Sequence, residues 1–242
     1  MRIGSDFEKI TWDFCGLHLL EPNALLGDVL LFACSLFIFF RLKAYNANPF
    51  IRHWRTFFLF FAFSFILGGL SHALYNYWFV FGRIPAWIIG VIAPFWVEWA
   101  MITLWPNPKQ LKGLKWISLG KTAIFLGGLM VYIIANFYDL SVPKGMRFPT
   151  LNAVFGLGAA LFGLAVYYQR TYTSWFKYFW IGALFYVIGG LVQALKINIS
   201  PQFDRNDLTH VFLCIGLFLN YLGIRKTLTY TNKAFGITEQ HD

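Results

Sequence analysis

Apolar residues run through this chain in seven long stretches separated by short polar breaks. A helix rises about 1.5 Å per residue, so roughly 20 apolar residues cross the hydrocarbon core of a bilayer. Stretches of that length stand at 23–42, 56–80, 84–105, 114–136, 149–168, 175–196 and 207–228. They predict an all-α, polytopic membrane protein: one seven-transmembrane helix bundle over 1–242, with a short N-terminal segment 1–22 and a short tail 229–242. The connections leave no room for a separate soluble domain. The first twenty residues hold Asp6, Glu8, Lys9 and Asp13 and lack the basic-then-apolar order of a cleaved signal peptide, which leaves the first span as the targeting signal.

The pattern also echoes itself. Asn23-Ala24-Leu25-Leu26-Gly27 opens the first stretch and Asn152-Ala153-Val154-Phe155-Gly156 the fifth, and each stretch closes on an arginine, Arg41 and Arg170, at the same separation. Gly68-Gly69-Leu70-Ser71-His72-Ala73-Leu74 parallels Gly189-Gly190-Leu191-Val192-Gln193-Ala194-Leu195, and Glu98 falls weakly opposite Asn220. Three spans, a linking span and three more would make a 3+1+3 parallel repeat. The Gly-Gly pairs also have a simpler meaning, since small residues let membrane helices approach closely. The ionisable residues do not repeat: His72 aligns with Gln193, Asp28 with Leu157 and His210 with Ile88.

Composition agrees with the spans. The chain is 58% hydrophobic and only 13% charged, about half the charge of a soluble domain. A net charge of +9 would suggest nucleic acid in a soluble protein, but here the distribution assigns it to topology. Arg41, Lys43, Arg52, Arg55, Lys109, Lys112, Lys115, Arg170, Lys177, Arg225, Lys226 and Lys233 gather at alternate connections, whereas basics on the other side are offset by acids. By the positive-inside rule the N-terminus is outside and the C-terminus cytoplasmic, in the cell membrane. Cys34 and Cys214 fall inside spans, which leaves Cys15 without an exposed partner for a disulfide. Cys214 lies one turn beyond His210, where a small core residue is the simplest reading.

Ionisable residues are costly inside a membrane, and those that persist usually face a cavity and act there. Topology places Asp28, His72 and His210 at one depth in the outer leaflet, with Asn76, Asn152, Gln193, Lys196, Asn206 and Asp207 in the same slab. Glu98 lies nearer the cytoplasmic side, with Lys121 its expected partner. Two imidazoles and a carboxylate match a catalytic zinc site with one position open for water, whose bound water becomes a nucleophile at neutral pH. Asp207, one turn before His210, suits a general base or an orienting partner, and Ser71 and Tyr75 suit donors to a substrate carbonyl. Each has a plainer alternative: a packing His72 bonded to Gln193, Asp207 as a helix cap, a solvated His210. Asp28 is hardest to dismiss. His18, His53 and His241 sit outside the spans and need no special role.

Seven spans, a histidine late in the second and an Asn/Asp/His cluster opening the seventh resemble the CREST superfamily, which includes alkaline ceramidases, progestin and adiponectin receptors and uncharacterised bacterial relatives. That resemblance implies an intramembrane zinc that hydrolyses a lipid amide or ester. The zinc is held by one histidine on span two and an HxxxH pair on span seven, with a serine and an aspartate nearby. His72 matches the first and His210 the second of the pair; Asn206 takes the pair's first position, and the serine falls on Gly68, with Ser71 nearest. Asp28 would then supply the missing ligand. Arg205 also departs, standing where the bacterial relatives carry histidine.

These features lead to a metal-dependent membrane hydrolase of a lipid amide or ester, with the bilayer as partner, Asp28, His72 and His210 as zinc ligands, and Asp207 and Ser71 as catalytic residues. A small-solute transporter with sites between repeats is the alternative, for which Glu98 and Asn220 speak best. A non-catalytic receptor or assembly subunit is the third. A retinal protein is disfavoured, because span seven lacks a mid-membrane lysine.

Overall fold

Seven helices long and apolar enough to cross a membrane run through the computed structural model, which describes residues 1–237 and so leaves His241 outside the described residues. They are Pro22–Arg41, Pro49–Ala73, Tyr75–Ile102, Pro108–Ala135, Val142–Thr171, Ser174–Ala194 and Arg205–Lys226, taken below as spans one to seven. The chain is an all-helical, multi-pass membrane protein.

Local chemistry sets the helix starts, and it moves two of them from their expected places. Span two begins at Pro49 rather than 56 because the Asn48 side chain accepts from the Phe50 and Ile51 amides and proline pre-sets the first turn. This draws Arg52, His53 and Arg55 into the helix, where long basic side chains can lie along apolar surface with their charge at the membrane edge. His53, expected outside the spans, is in the first turn of one. Span two then stops at Ala73 instead of 80, and the chain turns through Tyr75–Trp78 and a left-handed Phe79 (φ 48°). His72 therefore occupies the last turn of span two, not a position seven residues below its end. Span five likewise starts at Val142 rather than 149, which carries Asn152 deeper than the outer slab; further along, Gly158–Leu164 winds as a π-helix.

The N-terminal segment contains structure that the hydrophobic pattern did not indicate. Strands β1 (Thr11–Phe14) and β2 (Leu17–Leu20) pair antiparallel. Cys15 and Gly16 between them both have positive φ, 51° and 79°, as a two-residue hairpin turn needs. Arg2 pairs with Asn198 in the connection before span seven, and the His18 amide donates to the Tyr77 hydroxyl at 2.9 Å. The segment is thus strapped across one end of the bundle, called below the N-terminal face.

Spans one, two and three pack in sequence, span three meets span five, spans six and seven pair closely, and span seven returns to span one. Span four packs only against spans three and five as principal neighbours, so the linking span lies outside the ring. Near the opposite, C-terminal face the ring is filled by aromatics: Trp54 stacks on Phe179 at 5.3 Å, beside Phe50, Phe58, Tyr168 and Phe176. The Gly-Gly pairs do mark helix contacts, but through one member each. A Cβ on Gly69 would stand 2.7 Å from the Asp28 Cβ of span one and one on Gly189 3.3 Å from Thr209 of span seven, whereas Gly68 and Gly190 face open space.

Candidate functional site

The two intramembrane histidines lie toward the N-terminal face, and their surroundings differ. His72 is surrounded by partners. Its Nδ1 is 2.9 Å from Glu21 Oε2, while Arg83 places Nη1 3.0 Å from Nε2 and Nη2 3.1 Å from Nδ1. Imidazole nitrogens point in divergent directions, so one guanidinium that touches both must lie across the ring.

Glu21 holds this cluster together. Its carboxylate also pairs with Lys9 and accepts from Asn206 Nδ2 at 3.3 Å, so it joins the N-terminal segment to spans two and seven. It caps span one in a left-handed conformation (φ 48°, ψ 54°), which costs a non-glycine residue about 1–3 kcal/mol. Burial pushes the Glu21 carboxyl up, but the hydrogen bond and attraction of His72, with those of Lys9, outweigh it and hold the group at about 2. Neither Glu21 nor Arg83 stood out in the sequence, because both lie at span edges, where charged residues are ordinary. The available signal was Glu21-Pro22, an acid placed directly before a proline-initiated span.

His210 has one polar partner. Its Nε2 is 3.2 Å from Asp28 Oδ1, in a pair whose side chains are 12% and 7% exposed. Its Nδ1 is buried and, among the described residues, has no hydrogen-bond partner. The imidazole fits because Gly27 of span one has no side chain; a Cβ there would run into Nδ1. Asp28 in turn rests on Gly69 of span two. Beside His210 a groove of about 560 Å³ opens between spans one and seven, walled by Leu26, Leu30, Val211 and Ile215, with Asn23, Gln202 and Asp207 at its polar end. There it meets a small polar pocket of about 20 Å³ beneath the N-terminal segment, which shares Asn23 and Asp207 and has room for about one water.

The other sequence-derived residues fall elsewhere. Asp207 is the third residue of a capping box, accepting from the Asp204 amide at 3.0 Å while Asp204 caps the helix; it also lines the groove. Ser71 turns into its own helix and donates to the Gly68 carbonyl at 2.6 Å. Tyr75 lies under the Arg83 guanidinium, 5.9 Å from ring centroid to Cζ. Gln193 donates to Asn206 at 2.9 Å rather than to His72. Glu98 does pair with Lys121, at 2.9 Å, and Lys121 also donates to Asn152 Oδ1, with Gly156 leaving space for both. Asn152 donates to the Val91 carbonyl at 2.6 Å, so this second buried cluster ties spans three, four and five together. Cys15, Cys34 and Cys214 are free thiols.

The side chains do not fit the zinc site anticipated from Asp28, His72 and His210. Among the described residues no group of three His, Cys, Asp or Glu side chains could hold a metal ion. The reason is local: Glu21 and Arg83 already engage His72, and a divalent ion there would face a guanidinium about 3 Å from the ring. Asp28 and His210 remain as a two-residue pair.

What the fold and the site define is a seven-span membrane protein with a buried carboxylate–imidazole pair beside an apolar groove. Residues 24–229 match DUF6962, a family of unknown function, and the chain belongs to that family. No curated protein and no solved structure matches it.

Proposed function

We propose that the chain hydrolyses an amide or ester of a membrane lipid, with Asp28 and His210 as its acid–base pair. The observation that carries this is the His210 imidazole, which lines an apolar groove and which Asp28 engages at Nε2, while Nδ1, packed against Gly27, has no hydrogen-bond partner among the described residues. The groove suits a hydrocarbon chain, and Asn23, Gln202 and Asp207 suit the polar head. The choice of an amide or ester bond rests on the sequence resemblance alone. The charge distribution supports an outside N-terminal face, which would put the groove in the outer leaflet.

The chemistry needs one water and one carbonyl. With its proton on Nε2, turned toward Asp28, His210 has a basic lone pair on Nδ1. A water oxygen attacks the carbonyl carbon as Nδ1 takes its proton, and Asp28 stabilises the imidazolium that forms. The tetrahedral centre then expels the amine or alcohol, which leaves with the proton returned from Nδ1, and the acid remains. General base catalysis of this kind contributes about 10²- to 10⁴-fold.

The test is hydrolysis of fluorogenic acyl-amide and acyl-ester lipids by the purified protein in proteoliposomes, with and without chelator. Wild type should cleave at least one of them, indifferent to chelator, while Asp28→Asn and His210→Ala lose roughly 10²- to 10⁴-fold. Activity abolished by chelator and restored by zinc would assign the step to a metal instead. A wild type inert on every lipid would remove the hydrolase reading. Transport is the second reading, favoured by the buried Glu98–Lys121 pair; solute uptake that Glu98→Gln abolishes would displace hydrolysis.

A further inference from the structure

We propose a second site, at the C-terminal face: Arg52, His53 and Lys115, with Trp96 and Trp99, bind the phosphate of an anionic membrane phospholipid. The early start of span two brings Arg52 and His53 into its first two turns, and His53 there meets the last turns of span three, which the early turns of span four also reach through Lys115. The His53 ring stacks on Trp96 at 5.7 Å and meets Trp99 edge-on at 5.7 Å, and Lys115 Nζ lies 5.2 Å from the Trp99 ring centroid. Three span ends thus converge on one basic and aromatic notch.

The notch has a charge excess with no internal counterion. Glu98 is the sole acid in spans two, three and four, and Lys121 has taken it. Among the described residues neither Arg52 nor Lys115 enters an ion pair. The indole Nε1 atoms of Trp96 and Trp99 are buried and, among the described residues, have no acceptor. Cations on two helices, with two indole rings on the helix beside them, complement a phosphate: a guanidinium binds its oxygens as a fork and an ammonium as a point charge. The location selects a lipid over free phosphate. Span ends lie at headgroup level, where basic pockets between helices bind anionic headgroups, and Trp116 and Ile117, 63% and 69% exposed on span four, offer apolar surface for the chains.

The experiment measures lipids retained by the delipidated full-length protein, by native mass spectrometry, after exposure to mixed phosphatidylglycerol and phosphatidylcholine vesicles. Wild type should retain phosphatidylglycerol preferentially. Arg52→Gln and Lys115→Gln should each weaken that retention about fivefold at unchanged melting temperature. Trp96→Phe, which keeps an aromatic ring and removes the N–H, should weaken it less. Lys43→Gln, an exposed charge at the same face, should change nothing. Equal retention of both lipids, or an equal loss in Lys43→Gln, would overturn the proposal. So would inorganic phosphate binding the notch while the vesicles leave it empty.

Discussion

His72 and His210 looked equivalent in the sequence, two histidines near one face of the bundle, and the structure gives them opposite characters. His72 has both ring nitrogens occupied, by a strained glutamate and by a guanidinium laid across the ring. His210, on the edge of a groove, has one occupied nitrogen and one without a partner among the described residues. A histidine with both nitrogens engaged is a cross-link between segments. One with a lone pair left over can accept a proton. Depth in the membrane does not separate the two cases; the count of uncommitted nitrogens does.

The largest expected effect separates them by stability. Glu21→Ala removes the acceptor shared by Lys9, His72 and Asn206 and leaves Arg83 uncompensated, and breaking a buried charge cluster costs about 3–5 kcal/mol. His210→Ala removes one polar contact but leaves the buried Asp28 carboxyl without it, and should cost about 1–3 kcal/mol, although it is the variant expected to end hydrolysis. Chemical denaturation in detergent measures both. Equal losses would mean that His210 is as structural as His72.

The second effect is a pH dependence set on the His72 side by Glu21. The Glu21 carboxyl is held at about 2, against 4.5 for a free glutamate. A depressed carboxyl stabilises the folded state above the unfolded value and loses that contribution as pH falls through the folded one. Stability should therefore be full above pH 4.5 and decline between 4.5 and 2. At roughly 1.4 kcal/mol per unit the loss comes to about 3 kcal/mol. Glu21→Gln should be less stable at pH 7 and flatter over the same range. A Glu21→Gln curve parallel to wild type would show that other acids carry the acid sensitivity.

The seven spans, their order and the shared end of the two histidines were legible because hydrophobic run length and connection charge are strong signals. The Glu98–Lys121 pair was legible for a related reason: Glu98 is the one acid of its span and Lys121 the deepest base of the next, so few partners are available. Glu21 and Arg83 were not legible. Charge at a span edge is ordinary, and only the turn through Phe79 and the left-handed cap at Glu21 aim them at His72. Asp28, His72 and His210 do not form one three-ligand group among the described residues for that reason, since the sequence showed which residues share a depth but not which were already taken. The π-helical stretch and the N-terminal hairpin were equally hidden, the first because Gly158–Leu164 has the composition of any apolar helix.

The smallest effect tests whether the two histidine sites are independent. Gly69 and Gly68 are adjacent on span two, one turn before His72, yet only Gly69 faces Asp28. Gly69→Ala would force a methyl to within 2.7 Å of the Asp28 Cβ and 3.1 Å of Leu25. Overpacking of that kind costs about 1–3 kcal/mol, and it should shift the carboxylate from His210 and lower hydrolysis. Gly68→Ala meets nothing within 4 Å, so it should raise stability by roughly 0.5–1 kcal/mol through the better helix propensity of alanine. If the sites are independent, Gly69→Ala alters the His210 chemistry and leaves the acid slope set by Glu21 intact. A variant that lost both would mean that span two transmits strain from Asp28 to His72, and the two histidines would have to be treated as one coupled network.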